Sequence, residues 1–456
     1  MVSVGRHENI KLLSYSEVES VGGYIGNFKV TVRKKARYVN EDLCTGCGTC
    51  VEKCPWKKIE SEFDMGLGTR PAIYFQFPQA VPRVPVIDTQ NCAYFQRGKC
   101  RACEKFCQTG AIDFTQQDEL LELDVGTIIL ATGFHDFDPE LAPKYGYGVL
   151  DNVFTGMEFE RLINTGGPTQ GQVRMKDGRK PESVAILHCV GSRDQAVHEY
   201  CSRVCCMYSL KLAQLVRDYM GANVYEFYRD MRTFGKGYEA FYDRVSDHGV
   251  QFVRFDQDIR VSRNGQDGKL KVTTTDVYTG KLQEIQVDLV ILSTGMEPQP
   301  DQLRTAKTFG ISLSPDGFFL EKHPKLAPVE TATDGVYLAG TCQSPKDIPD
   351  SVAQGGAAAA VALSLMDAGS VIMEPFTAVV DPAKCGGCRT CEGLCPYSAI
   401  VMVDEMGRSI AYVNEVQCKG CGTCAAACPG QAITQYGFTQ DQILAEIDGI
   451  LQEALR

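Results

Sequence analysis

The chain has 456 residues, with 46 Lys and Arg against 57 Asp and Glu, a formal net charge of −11. Hydrophobic residues make up 44% and charged residues 23%, the composition of a globular protein with about two to four domains and a sizeable core. The acidic balance argues against a nucleic-acid binder and against an anionic membrane surface. Apolar runs such as 125–131 and 357–363 are too short to span a bilayer. The first residues lack the apolar stretch of a signal peptide, so a cytoplasmic location is expected.

Residues 8–40 read as two strands, NIKLLSYSEVESV and YIGNFKVTVRKK, joined at Gly22-Gly23. The first of several cysteine groups follows. There are 21 cysteines in the chain and only 6 His, which disfavours mixed Cys/His zinc sites, and a disulfide scaffold would be short and secreted. The group is Cys44-x2-Cys47-x2-Cys50-x3-Cys54-Pro55. This is the bacterial ferredoxin spacing, in which three thiolates wrap one [4Fe-4S] cubane and the fourth ligates a second cluster. Gly46 and Gly48 allow the backbone to approach closely. The partner group is irregular: Cys92-x7-Cys100-x2-Cys103-x3-Cys107, with Gln108 in place of proline. The expected sets are Cys44, Cys47, Cys50 and Cys107 for one cluster, and Cys92, Cys100, Cys103 and Cys54 for the other. Residues 41–114 are expected to form this two-cluster insert, which interrupts one domain between its segments at 1–40 and 115–182.

Three later segments share one shape, an apolar strand ending in a small-residue turn: DVGTIILATGF (124–134), VDLVILSTGMEPQP (287–300) and DGVYLAGTCQSP (334–345). Their order resembles the two-dinucleotide-domain flavoproteins of the thioredoxin reductase type. The resemblance implies an α/β core with a nicotinamide-like domain at 183–310 and a flavin-domain part at 311–370. It implies flavin contacts at Thr132, Gly133, Gly340, Thr341, Lys346, Ser351 and Gln354. Pro349 suits the first turn of a helix whose N-terminus would stabilise negative charge on the flavin. Gly355 and Gly356 in that helix make sense if a group packs closely on them. No strand–G-x-G-x-x-G–helix unit precedes the first cysteine group.

Within the nicotinamide-like domain, Cys189 follows the strand SVAILHCVGS, and Cys201, Cys205 and Cys206 open an expected helix, CSRVCCMYSLKLAQLV, with Cys201 and Cys205 on one face. Spacing leaves three readings open: a fifth cluster, a redox dithiol beside the flavin, or buried structural cysteines. Gly235-Lys236-Gly237-Tyr238-Glu239-Ala240 matches G-x-G-x-x-A but lies too far behind its strand to read as a phosphate loop. The turn His188–Ser192 has one glycine and a cysteine, so a nicotinamide site reads as degraded. Arg229, Arg232 and Lys236 read as a solvated loop. Cys342 is left over.

Residues 371–437 carry a regular pair of motifs, Cys385-x2-Cys388-x2-Cys391-x3-Cys395-Pro396 and Cys418-x2-Cys421-x2-Cys424-x3-Cys428-Pro429. The same rule assigns Cys385, Cys388, Cys391 and Cys428 to one cluster and Cys418, Cys421, Cys424 and Cys395 to the other. A zinc ribbon would leave half of these thiols unused. Residues 438–456 have helical apolar spacing and read as a packing or docking helix.

On these residues, the chain resembles the iron–sulfur and flavin component of heterodisulfide reductase, its A subunit. The resemblance rests on VGRHENIKLLSYSEVE, CTGCGTCVEKCP, FPQAVPRVPVID, HCVGSRD, CSRVCCMYSLK, RTFGKGYEAFYDRV and AGTCQSPKDIPDSVAQ. It implies an electron-transfer subunit with FAD and five [4Fe-4S] clusters, the fifth bound by Cys189, Cys201, Cys205 and Cys206. It implies flavin-based electron bifurcation between a two-electron donor, a disulfide-type acceptor and ferredoxin. The implied partners are catalytic subunits of the heterodisulfide reductase type, a hydrogenase-like or formate dehydrogenase-like electron-input subunit, ferredoxin, and a second copy within a larger complex. The family's N-terminal cluster domain and G-x-G-x-x-G half are not in this sequence. Two explanations are open, a split gene or a start placed at an internal Met. The competing functions are an NAD(P)H-dependent iron–sulfur flavoprotein and a flavin-free cluster conduit.

Overall fold

The computed structural model describes residues 2–256, 258–264, 268–372, 375–405 and 407–454. Ser16–Tyr24 and Asn27–Lys34 pair antiparallel, with Tyr24 opposite Asn27. The joint is therefore Ile25-Gly26, with Gly26 at φ +81. The expected joint at Gly22-Gly23 lies inside the first strand instead. Buried Phe28, Val30 and Val32 set the register of the second strand, and the turn falls where a glycine takes the left-handed angle. Glu119–Val125 adds a third strand, with Lys34 opposite Glu119.

The chain between Lys34 and Glu119 is thus an insertion whose ends meet. A bridge between Val39 and Ile112 closes its neck. It has its own core of Val39, Ala72, Ile73, Val84, Ile87, Ala111, Ile112 and Phe114. Neighbouring ends let such an insert leave and rejoin the sheet without stretching it. It touches the rest of the molecule through Arg161, whose guanidinium Nε and terminal nitrogen lie 3.2 and 2.9 Å from Asp64 Oδ1. Arg161 also stacks over Phe63 at 4.3 Å.

The centre is an all-parallel sheet of five strands: β1 (Val153–Thr155), β2 (Ser183–Val190), β3 (Asn223–Tyr228), β4 (Gln251–Arg254) and β5 (Leu289–Thr294), in the order β1-β5-β2-β3-β4. Every residue of β5 and nearly all of β2 are buried, as parallel strands covered on both faces require. β1, from the 115–182 segment, completes this sheet beside β5. The helix α1 (Cys205–Leu215) covers one face, where Leu210, Leu212 and Ala213 meet Ile186, Val224 and Ile291. An antiparallel meander, Ile259–Arg263, Leu270–Thr275 and Leu282–Val287, follows β4.

A separate parallel pair, Ile128–Leu130 with Val336–Leu338, carries the turns where flavin contacts are expected. Both strands run the same way, so their carboxyl ends, Ala131–Gly133 and Ala339–Thr341, open at one edge, where α/β folds hold ligands. The helix α2 (Ile348–Ala368) starts beside them, capped by Asp347, which accepts from Asp350 N at 2.9 Å. Among the described residues nothing comes within 4 Å of a Cβ added at Gly355 or Gly356, so the close packing expected there comes from no described residue.

The C-terminal cysteine region pairs Ala378–Val380 with Ile433–Gln435, and Ile400–Glu405 with Arg408–Val413. Gln417 Nε2 donates to Gly23 O at 2.7 Å, and Lys419 pairs with Asp334. The last helix is Gln440–Ala454, and residues 455–456 of the expected helix lie outside the described residues. Its Ile443, Leu444, Ile447, Ile450 and Leu451 are exposed. Among the described residues no helix is long and apolar enough to cross a membrane.

The Arg161–Asp64 contact generates a test. Arg161→Ala strips a charged hydrogen-bond partner from Asp64 at a cost of about 1–3 kcal/mol. Amide hydrogen exchange is expected to quicken at residues 61–68 and stay unchanged in β2 and β5. Unchanged exchange at 61–68 would mean that other contacts, such as Leu67 against the central core, hold this loop without Arg161.

Candidate cluster sites and flavin pocket

The cysteine loops of the insert and of the C-terminal region are built alike. In three of the four motifs the glycine before the second cysteine is left-handed and pressed against a carbonyl. A Cβ on Gly46 would lie 2.6 Å from Arg83 O, one on Gly387 2.5 Å from Ser409 O, and one on Gly420 would overlap Phe376 O. Their φ values are +69, +71 and +61, so no other residue fits without strain. After the second cysteine a threonine hydroxyl faces the sulfur: Cys47–Thr49 at 3.5 Å, Cys388–Thr390 at 3.4 Å and Cys421–Thr423 at 3.5 Å. The fourth cysteine of three motifs accepts an amide from four residues on, at 3.3 Å for Cys107, Cys395 and Cys428. Gln108 therefore does not disturb the irregular motif.

Cys44, Cys47, Cys50 and Cys107 line one cavity of about 120 Å³, the set that the spacing predicts. Cys103 lies within electrostatic reach of Cys92, Cys54 and Cys50, whereas Cys100 is exposed at φ +88. Cys424 faces Cys418, Cys421 and Cys395. Cys391 faces Cys388 and Cys385, and Cys428 packs in the same core. Burial pushes the Cys50 thiol up to about 11 and the Cys103 thiol up to about 12. Cys47 and Cys388 go the other way, lowered by the hydroxyls of Thr49 and Thr390.

These groups suit a polynuclear cluster better than a single ion. Four thiolates about 2.3 Å from one zinc must crowd together. Among the described residues no three His, Cys, Asp or Glu side chains converge so closely. Cys44, Cys47, Cys50 and Cys107 instead rim a gap, as ligands to different irons must.

The fifth group is assembled from two places. Cys189 ends β2 at φ +60. Cys205 and Cys206 begin α1, where a helix N-terminus favours thiolate. Cys201 lies before the helix, not on its face as expected, because Arg203 takes φ +62 and turns the chain. Cys205 is still within electrostatic reach of Cys189, Cys206 and Cys201. Arg203 N donates to Cys201 Sγ at 3.3 Å. Burial holds the Cys205 thiol well above its usual value. Cys206 is lowered: burial opposes the thiolate, but His188 and the Arg232 amide outweigh it. His188 is itself fully buried. Burial works against its charge, yet Glu226 and Cys206 push it up to about 10. Arg232 is thus more than the solvated loop residue expected.

On the other side of the same segment lies a cavity of about 680 Å³, within the range of small-molecule sites. Of the expected flavin contacts, Gly133, Gly340, Thr341, Lys346 and Ser351 line it. Thr132 and Gln354 stand behind it. Thr132 O accepts from Gln299 Nε2 at 3.3 Å, and Gln354 Oε1 accepts from Gly340 N at 2.7 Å. Lys346 Nζ donates to Gly340 O, Gln343 Oε1, Ser344 O and Ser344 Oγ at 2.9–3.0 Å. Burial brings it down to about 8. Sequence reasoning missed the opposite wall of Arg203, Val204, Met207, Tyr208, Phe234 and Tyr238. The available signal was their interleaving with Cys201, Cys205 and Cys206. Arg203 pairs with Asp350 at 2.6 Å, tying this wall to the start of α2. Gly237 opens the helix Tyr238–Asp247 at φ +82.

Three family descriptions match this chain: a 4Fe-4S dicluster domain at 377–432, a 4Fe-4S binding domain at 37–57, and a pyridine nucleotide-disulphide oxidoreductase at 207–358. The iron-sulfur A subunit of the CoB–CoM heterodisulfide reductase of Methanocaldococcus jannaschii is 49% identical over 99% of this chain and 68% of its own length. The A subunit of the H(2):CoB-CoM heterodisulfide,ferredoxin reductase of Methanothermobacter thermautotrophicus is 50% identical over the same shares. The A subunit of the H(2)/formate:CoB-CoM heterodisulfide,ferredoxin reductase of Methanococcus maripaludis is 47% identical over 100% of this chain and 68% of its own length. Among solved structures, the thioredoxin reductase of T. acidophilum aligns with 56% of this chain and 70% of its own at a TM-score of 0.35 and 16% identity. With near-half identity along essentially the whole chain, matching cluster domains and a flavin-type core, the chain belongs to the family of heterodisulfide reductase A subunits and is an iron–sulfur flavoprotein electron-transfer subunit of an oxidoreductase.

Proposed function

We propose that this chain holds FAD in the 680 Å³ pocket and five [4Fe-4S] clusters on twenty of its cysteines, and that it serves electron bifurcation. The ligand sets are those read from the motifs, with Cys189, Cys201, Cys205 and Cys206 as the fifth. The observation that carries the reading is the double-faced segment 201–208. Cys205 lies within electrostatic reach of Cys189, Cys201 and Cys206, while Arg203, Val204, Met207 and Tyr208 wall the pocket.

When bound, FAD takes up an electron pair and releases electrons singly, and clusters carry single electrons at potentials set by their surroundings. The chain's own residues shape that environment. Val204, Met207 and Tyr208 wall the pocket on the segment that carries the thiols. Arg203 neutralises Asp350 at the start of α2. Lys346 ties the 340–346 loop to itself and presents a cation at the pocket wall.

The donor and acceptors come by analogy with the relatives. Names such as H(2):CoB-CoM heterodisulfide,ferredoxin reductase pair one donor with two acceptors. By that analogy, electrons enter from a hydrogenase-like or formate dehydrogenase-like component and leave for ferredoxin and for a catalytic component that reduces a disulfide. The complex works in the cytoplasm with two copies of this chain. The turn after β2 speaks against NAD(P)H as donor. Cys189 occupies it, and Gly191 lies so close to the Phe137 ring that no cradle for a pyrophosphate is left.

Anaerobic purification of the native complex tests the reading by iron and flavin analysis. About twenty iron, four per cluster, and one FAD per copy of this chain are expected. About twenty iron with no flavin would reduce the chain to a cluster conduit. Rapid bleaching by NADH alone would replace bifurcation with an NADH-dependent activity. Cys205→Ser is expected to lower the iron by about four per chain while leaving the spectra of the ferredoxin-type clusters intact. Unchanged iron in that variant would remove the fifth cluster from the proposal.

A further inference from the structure

The insert departs from the C-terminal region in a way that holding a cluster does not require. Seven residues separate Cys92 from Cys100, where two separate the first cysteines of the other motifs. The added chain forms the helix Ala93–Arg97 and turns at Gly98, φ +65, and residues 96–101 are exposed. It is rich in cations. Arg97, Lys99, Arg101 and Lys105 lie within 92–107, and Lys57 and Lys58 follow Cys54-Pro55-Trp56. The two C-terminal motifs, 385–396 and 418–429, hold two cations, Arg389 and Lys419, and Lys419 pairs with Asp334.

The cations of the insert share one face. The helix Thr49–Glu52 packs on the helix Ala102–Lys105, and the Arg97 guanidinium lies 5.7 Å from the centre of the Trp56 ring. Trp56, the chain's one tryptophan, is 40% exposed. The face adjoins the thiols. Cys54 Sγ lies 3.8 Å from Trp56 O, and Cys100, between Lys99 and Arg101, is itself exposed. Arg101 pairs with Glu104 at 2.5 Å. Among the described residues, Lys57, Lys58, Arg97, Lys99 and Lys105 have no carboxylate partner. All five are exposed, so they repel one another and add nothing to the fold. In a chain of net charge −11 this face is a local reversal of sign. Cations around an exposed aromatic suit an anionic protein surface. The charges speed encounter, and Trp and Arg supply the contact.

We propose that this face is the docking site of an acidic iron–sulfur carrier protein, which takes one electron from the cluster held by Cys92, Cys100, Cys103 and Cys54. One electron moves: the donor cluster is oxidised, the carrier's cluster is reduced, and no bond or proton is exchanged. The proposal rests on the reading of those four cysteines as a cluster site and of an iron–sulfur carrier as an acceptor. A carrier must also leave. Exposed charges allow this, because their attraction is screened beyond about 8 Å at physiological ionic strength.

The test uses the anaerobically purified complex, reduced with dithionite and freed of the excess. It is mixed by stopped flow with an oxidised, acidic [4Fe-4S] ferredoxin. Lys57→Glu, Lys58→Glu and Lys99→Glu together are expected to lower the second-order rate constant at least about tenfold at low salt. They are also expected to abolish the slowing that added salt causes in the wild type. Transfer to a small neutral quinone is expected to stay unchanged. Lys180→Glu, Lys281→Glu and Lys307→Glu together make the same change in total charge elsewhere on the surface, and the ferredoxin rate is expected to hold. An unchanged rate in the first triple variant would overturn the proposal, as would an equal loss in the second or an equal loss towards the quinone. A subunit missing from the purified first variant would make the face a permanent contact instead. Binding of the wild-type complex to anionic phospholipid vesicles, with the variant's ferredoxin rate unchanged, would assign the face to a membrane. Two results would overturn the readings beneath and differ from all of these: unchanged iron in Cys100→Ala, and a wild-type complex that passes no electron to ferredoxin.

Discussion

Each ferredoxin-type loop of this molecule is wound around a sulfur that must be held apart from its fellows. A thiolate buried without a partner is unfavourable, and burial drives Cys50 and Cys103 towards the protonated form. The chain answers with backbone. Amides face Cys107, Cys395 and Cys428 from four residues on, and left-handed glycines let the loops pass against carbonyls of the neighbouring chain segments. The cores beneath are small and contain the cysteines themselves, so folding and cluster loading share the same residues.

The same constraint explains the segment between β2 and α1. Cys189, Arg193 and Arg203 all take left-handed angles without being glycine, at φ +60, +56 and +62. Such backbone costs about 1–3 kcal/mol per residue and persists where surrounding structure holds it. What holds it here is contact on two sides. Arg203 gives its amide to the Cys201 sulfur and its guanidinium to Asp350 at the pocket rim. Tyr208 walls the pocket and donates to Thr294 O, the carbonyl that Cys205 also faces. A change at the pocket wall therefore bears on the thiols within a few bonds.

The sequence was most readable where chemistry imposes spacing. The Cys-x2-Cys-x2-Cys-x3-Cys spacing yields an expected set for each cluster, and the cavity at Cys44, Cys47, Cys50 and Cys107 joins residues that the motif rule alone had joined. The paired flavin-side strands were legible for the same reason, since a strand ending in a small turn has few uses. Tertiary pairing was less readable. The hairpin turn fell at Ile25-Gly26 because buried Phe28, Val30 and Val32 fix the register, which a count of glycines does not weigh. Helical spacing placed Cys201 and Cys205 on one face, but the turn at Arg203 comes before any helix. Glu226 and His188 sit on different strands, and no local pattern joins them.

The central sheet offers the place where parallel folds hold nucleotides. In open parallel sheets the crevice at the carboxyl ends of the strands is where ligands bind, and a glycine-rich first turn lets phosphates approach a helix N-terminus. Here β2 ends in that place and α1 starts beside it, but cysteines take the positions that glycines would hold. Cys189 stands at the turn, Cys205 and Cys206 stand at the helix start, and Gly191 is pressed against Phe137. The helix N-terminus that would favour a phosphate favours a thiolate equally well, because both are anions facing unpaired amides. The sheet and the helix need no alteration for this exchange. One physical device, oriented backbone N–H groups at a strand–helix junction, serves either ligand, and the residues at the turn decide which.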